Sequence, residues 1–227
     1  MKIVFLGDSL TWGGYGGNFV AELQNRLTEH DIINAGDSGN TVINLLRRID
    51  DVLALQPDGV FVMAGGNDAI SNLYPDTRPY YRKAQGLPDG IVTPEQFTQA
   101  YRELLTRIQT AYVLAWVGLP PIEYSPELVE LLTQYNQLAN DTARSLNIPV
   151  IDLMAAFAPA QIPERPPLTL KIINRIGEHI QSGWSDYEHS RQTGQFTFTF
   201  DGLHLTPDSA SQIAAMIADF LKPYISI

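Results

Sequence analysis

The chain contains no cysteine, so disulfides, thiolate metal ligands and a cysteine nucleophile are all excluded. Long apolar runs are missing too. Nothing approaches the ~18 residues of a membrane span, and the stretch Ile3 to Leu6 is shorter than the ~7 to 15 residues of a signal-peptide core. A cytoplasmic protein is the expectation. Basic residues are scarce: 15 Lys and Arg stand against 25 Asp and Glu, for a net charge of -10. Such a surface repels phosphate backbones and anionic lipid heads, so neither nucleic acid nor membrane is an expected partner. The glycines from Gly13 to Gly17 lack both the G-x-G-x-x-G spacing and the lysine of a P-loop. No nucleotide or other cofactor, and no metal, is expected.

The composition is otherwise that of a folding chain. With 227 residues, 44% of them hydrophobic and 18% charged, one domain spanning residues 1–227 has material for a single core. Short apolar runs (Lys2 to Leu6, Asp31 to Ala35, Gly59 to Ala64, Tyr112 to Gly118, Ile148 to Leu153) have the composition of strands buried on both faces, hence parallel. Between them, residues at helical spacing form apolar faces: Phe19, Leu23 and Leu27; Phe97, Tyr101, Leu104 and Ile108; Leu128, Leu132, Tyr135 and Ala139; Ile213, Ile217 and Leu221. The alternation predicts a three-layer α/β/α sandwich around a five-stranded parallel sheet. Thr93-Pro94, Ser125-Pro126 and Thr206-Pro207 each pair a hydroxyl cap with proline at the first helical position. Two stretches, about 69–92 and 158–200, break the alternation and are expected to be insertions, with a homo-oligomer through them as one outcome.

Open parallel sheets bind ligands beyond the carboxyl ends of their strands, so the residues there carry the functional argument. Gly7-Asp8-Ser9-Leu10 follows the first run and sets a serine at a tight strand-to-helix junction. Asn34 to Thr41 follows the second, with Gly39 inside it, and Gly65-Gly66-Asn67-Asp68 the third. Glycine lets backbone N–H groups approach a ligand, and an Asn amide adds two donors, although ordinary turns favour the same residues. Before the last helix, Asp201 precedes His204 by three residues, a spacing at which a carboxylate can fix an imidazole's tautomer. His30, His179 and His189 have no such company and are expected to be structural.

Ser9, Gly39, Asn67 and the Asp201/His204 pair occur in the order of the four sequence blocks of the SGNH hydrolases, the GDSL esterases and lipases, which this chain resembles over residues 1–68 and 201–222. The resemblance implies a flavodoxin-like sheet and an ester-cleaving site. It makes Ser9 the nucleophile, His204 the base and Asp201 its orienting carboxylate, with Ser9 N–H, Gly39 N–H and the Asn67 amide as the oxyanion hole. The implied activity is hydrolysis of small soluble carboxylic esters through an acyl-enzyme on Ser9. The two insertions leave substrate class open, so an O-acyltransferase, a carbohydrate acetylesterase or a thioesterase using the same site is the alternative.

Other readings fit less of the chain. Gly36-Asp37-Ser38-Gly39 looks like the serine signature of chymotrypsin-type proteases, which are β proteins with the nucleophile last in chain order. A receiver-like signalling domain would share the fold and use Asp8, but it needs a lysine after the fifth strand that is not there. A non-catalytic glycan-binding domain remains the other non-enzyme reading. Tyr74, Arg78, Tyr80, Tyr81, Arg82 and Lys83 have two readings, a roof over the pocket or, slightly favoured, a packed loop that shields the sheet's edge, with the basic ones placed to steer a soluble substrate toward Ser9. Ile172, Ile173, Ile176 and Ile180 predict an amphipathic helix, and Phe196, Phe198 and Phe200 one face of a strand that joins the core or a subunit interface.

Overall fold

The computed structural model describes residues 1–157, 159 and 161–225. Ala158 and Ala160, in the second irregular stretch, lie outside the described residues. Strands β1 (Lys2–Gly7), β2 (Asp31–Gly36), β3 (Gly59–Met63), β4 (Leu114–Leu119) and β5 (Val150–Asp152) form one parallel sheet in the order β2-β1-β3-β4-β5. Strand periodicity splits the central strands between two cores. Val4, Leu6, Val60, Val62 and Val117 face one side, while Ile3, Phe5, Phe61, Met63 and Trp116 face the other. On the second side Phe5, Phe61 and Trp116 stand in register across three strands. Gly59 makes room for the indole, since a Cβ there would lie 2.1 Å from the Trp116 ring.

Helices follow each strand. After β1 come α1 (Ser9–Trp12) and α2 (Phe19–Arg26), after β2 come α3 (Val42–Arg47) and α4 (Ile49–Ala54), and after β3 come α5 (Gly66–Leu73), α6 (Arg78–Lys83) and α7 (Pro94–Thr110). Helix α8 (Pro126–Ser145) joins β4 to β5, after which α9 (Leu153–Ala156), α10 (Leu170–Ser182), α11 (Tyr187–Gly194) and α12 (Pro207–Ile225) complete the chain. Residues of α2 and α12 cover the Phe5 face, and those of α3, α4, α5, α7 and α8 the Val4 face. The three layers expected from the sequence are therefore present. Among the described residues no helix is long and apolar enough to cross a membrane.

All three hydroxyl caps form. Thr93 makes a capping box with Gln96, Ser125 Oγ accepts from Leu128 N at 3.3 Å, and Thr206 Oγ1 accepts from Ser209 N at 3.2 Å.

The expectations fail where tertiary contacts override local pattern. Burial on both faces holds for β1 and β3, but β2 and β5 are edge strands whose Asp31, Asn34 and Asp152 are exposed. Tyr112 does not begin β4. It is 99% exposed at φ +59° in the preceding turn. The strand expected at Phe196 to Phe200 is absent, and the single bridge Thr199–Leu205 is all the pairing this segment makes among the described residues. Its backbone is held instead by the buried Glu123 carboxylate, which accepts from Thr197 N, Phe198 N, Thr199 N and Thr199 Oγ1 at 2.6–2.9 Å. The three phenylalanines are buried, which assigns them to the interior and not to an interface.

Candidate active site

Ser9 opens α1 directly beyond β1. Asp8 caps that helix, its Oδ1 accepting from Leu10 N at 3.0 Å, and the turn is tight because residue 7 is glycine: a Cβ there would lie 2.1 Å from Thr11 Oγ1 and 2.7 Å from Met63 O. As the first residue of a helix, Ser9 has an N–H without an intrahelical acceptor, and none is found among the described residues.

His204 arrives from 195 residues away on a loop that two interactions shape. Asp201 Oδ1 accepts from Leu203 N at 2.9 Å and His204 N at 2.7 Å, which folds the loop around its own carboxylate. The glycine loop after α1 then clasps it. Gly17 N donates to Leu205 O at 2.8 Å, and Gly16, at φ +92°, would place a Cβ 2.4 Å from that same carbonyl.

The result is a continuous line of polar contacts. Asp201 Oδ2 lies 2.8 Å from His204 Nδ1, and His204 Nε2 lies 3.2 Å from Ser9 Oγ. A carboxylate can only accept, so Nδ1 carries the proton and Nε2 is left as an acceptor facing the hydroxyl. The ring is 7% exposed, with the Tyr15 ring edge-on at 5.2 Å between centroids and Phe200 stacked at 6.1 Å. Burial pushes the imidazole pKa down, but the Asp201 charge, its hydrogen bond and the Asp8 charge outweigh this and leave it raised. Such a ring can take a proton from Ser9.

Gly39 and Asn67 lie on the same cleft. Gly39 sits at φ +78°, where a Cβ would meet the Tyr80 hydroxyl at 2.1 Å, and its N–H has no acceptor among the described residues. Asn67 belongs to the first turn of α5 and not to the strand end. Its Oδ1 accepts from the Tyr81 hydroxyl at 2.9 Å and its Nδ2 donates to Asp8 Oδ2 at 3.3 Å, so the amide's orientation is fixed and its second N–H is left available. Tyr81 is buried and its pKa is pushed well up by that burial, which keeps the hydroxyl a donor. Burial likewise raises Asp8 to about 6 and Asp68, whose carboxylate accepts from Val42 N, to about 8. The structure thus brings the Ser9 hydroxyl, the His204 imidazole, Gly39 and the Asn67 amide to one cleft.

The cleft holds about 160 Å³. Its floor is polar, with Ser9, Gly39, Asn67 and His204, and its wall is apolar, with Ile70, Leu168 and a row of isoleucines from α10. Tyr80 and Tyr81 line it, in keeping with the pocket reading of that segment and not with the favoured edge-shielding one. The basic cluster is placed elsewhere: Arg78 donates to the carbonyls of Ser71 and Asn72, Arg82 donates to that of Asp89, and neither these nor Lys83 line the cleft. Ser38 lines the cleft, but the imidazole bonds Ser9 and not Ser38. His179 bonds the Tyr15 hydroxyl at 2.9 Å and stacks on Trp184, a structural place.

Some supporting residues had no local sequence signal. Arg48 ties the first two loops together, Nε donating to Asn40 Oδ1 at 2.9 Å and a terminal nitrogen to Gly7 O at 2.9 Å. Glu123 and Tyr81 act on residues far away in the chain.

This enzyme is a carboxylic ester hydrolase, a class that its match to a family of acylhydrolases establishes. Within that class, the chain belongs to the GDSL-like lipase/acylhydrolase family, whose model matches residues 5–208. No match is found among curated proteins. Among solved structures, the lipase/acylhydrolase from Enterococcus faecalis is 21% identical over 98% of this chain and 95% of its own, with a TM-score of 0.64. The acetyl xylan esterase AlAXEase is 20% identical over 96% and 98%, at 0.65. A variant of the acetyl xylan esterase Axe2 from Geobacillus stearothermophilus is 20% identical over 96% and 94%, at 0.63. These three share the fold.

Proposed function

We propose that this chain hydrolyses small soluble carboxylic esters through an acyl-enzyme on Ser9. The observation that carries the proposal is the line Asp201–His204–Ser9 ending at the floor of an apolar-walled cleft. Ser9 Oγ attacks the ester carbonyl as its proton passes to His204 Nε2, and the carbonyl oxygen takes up negative charge. Ser9 N–H, Gly39 N–H and the Asn67 amide receive that charge, an arrangement in which one donor is worth about 3 to 4 kcal/mol of barrier. The bond to the alcohol oxygen breaks, and His204 returns the proton to the departing alcohol. Water then attacks the acyl-Ser9 ester, giving its proton to His204, and the carboxylic acid leaves as Ser9 regains its hydrogen. Asp201 holds the imidazole's tautomer and offsets its charge throughout.

A soluble substrate with an acyl group between acetyl and hexanoyl suits a cleft of this size and a chain whose net charge of -10 disfavours anionic lipid surfaces. The alternative of acyl transfer to an alcohol uses the same first step and differs only in the acceptor. The test is kinetic. Ser9→Ala, His204→Ala and the double variant should lose p-nitrophenyl acetate hydrolysis to about the same extent, because nucleophile and base act as a unit. For the native enzyme, kcat/KM should rise with pH through a midpoint above the ordinary histidine value of about 6.5. Losses that multiply in the double variant would contradict the shared role.

A further inference from the structure

Helix α10 carries an interior glycine that the helix itself does not need. Glycine is the least favourable helical residue after proline, and it is usually explained by a positive φ or by a close neighbour. Gly183, which ends α10, is explained by its φ of +67°. Gly177 has neither explanation: its φ is not in the left-handed range, and a Cβ built on it meets nothing within 4 Å. Its position is what distinguishes it. Ile173, Ile176, Gly177 and Ile180 form one stripe at helical spacing, and all four line the cleft that holds Ser9 and His204. The stripe is thus an isoleucine wall with a notch in it. No residue of α10 is fully buried, so the wall retains apolar surface that the protein itself leaves uncovered.

We infer that the notch at Gly177 is the subsite for a linear apolar chain of the substrate, lying along α10 with its ester carbonyl at Ser9. The inference rests on the esterase reading above. The absent side chain is room for methylenes, and the flanking isoleucines supply the surface they bury. An alkyl chain can enter from either side of the ester, so the experiment has two arms: p-nitrophenyl acetate, butyrate and hexanoate for the acyl side, and ethyl, butyl and hexyl acetate for the alcohol side.

In the native enzyme kcat/KM should rise along one series by up to about fourfold per methylene, and the series that rises identifies the chain's side. Gly177→Leu should remove that rise, lowering kcat/KM on the longest substrate of the rising series at least tenfold more than on the shortest member of the same series. Gly177→Ala should give a smaller loss of the same kind and keeps the comparison available if the leucine variant does not fold. Because alanine favours a helix, its midpoint of thermal unfolding should rise by about 2 to 4 °C; a fall would mean that the glycine is structural and overturn the inference. A native enzyme that cleaves acetate but gains nothing from chain length in either arm overturns it too, as does a gain that survives Gly177→Leu. An enzyme inactive on acetate itself would instead overturn the esterase reading and take this inference with it.

Discussion

Tyr81 and Asn67 exemplify the chemistry at the scale of single residues. An oxyanion donor works by being aimed before the charge appears, and the Asn67 amide, proposed as one such donor, is held by what its other atoms touch, the Tyr81 hydroxyl on Oδ1 and Asp8 on Nδ2. Tyr81→Phe keeps the buried ring and removes only the hydroxyl. The expected outcome is a fall in kcat of about tenfold with KM little changed, less than the 10²- to 10³-fold of losing a donor outright; steady-state kinetics on p-nitrophenyl acetate checks it. The blocks that hold Ser9, Gly39, Asn67, Asp201 and His204 could be picked out in the sequence by their order, which resembles that of the SGNH hydrolases, while each block alone reads as ordinary turn chemistry. Tyr81 could not be picked out, since nothing near it in the chain shows that its hydroxyl meets an amide 14 residues back.

Among elements, the segment before His204 shows where pattern reading reaches its limit. Phe196, Phe198 and Phe200 alternate as strand residues do, yet no strand forms, because Glu123, more than seventy residues upstream, supplies the acceptors that a neighbouring strand would. A helix cap is local and was readable at Thr93, Ser125 and Thr206; a carboxylate acting as a substitute strand is not. Glu123→Gln replaces one acceptor oxygen with an amide nitrogen that faces Thr197 N–H. It should lower stability by about 2 to 3 kcal/mol and reduce kcat through a misplaced His204. The urea midpoint should fall with the slope unchanged, and the kcat deficit should persist under conditions where the variant is fully folded.

For the whole molecule, the buried carboxylates make stability depend on pH in an unusual direction. Asp8 at about 6 and Asp68 at about 8 are raised above their ordinary value of 3.8 by burial. In the unfolded chain both ionise near pH 4, so folding binds protons. Their contribution is fully present below that point and is lost as pH rises through about 6 and then about 8. Thermal unfolding midpoints should therefore fall between about pH 4 and 8, and in Asp68→Asn the upper part of that fall should flatten relative to the native protein. The layered architecture was legible from the alternation of runs and helical faces. The exposure of the edge strands was not, because the runs that became β2 and β5 lie close to their expected bounds and nothing local shows that a strand will have a neighbour on one side only.

The central claim is that Ser9 is the group that becomes acylated, and the cleft contains its own control. Ser38 lines the same cavity but is not bonded to the imidazole. Mass spectrometry of the protein after reaction with a fluorophosphonate tests this directly. The adduct should appear on the peptide containing Ser9, and none should form on Ser9→Ala or, at a comparable rate, on His204→Ala. An adduct on Ser38, or labelling that survives Ser9→Ala, would contradict the account.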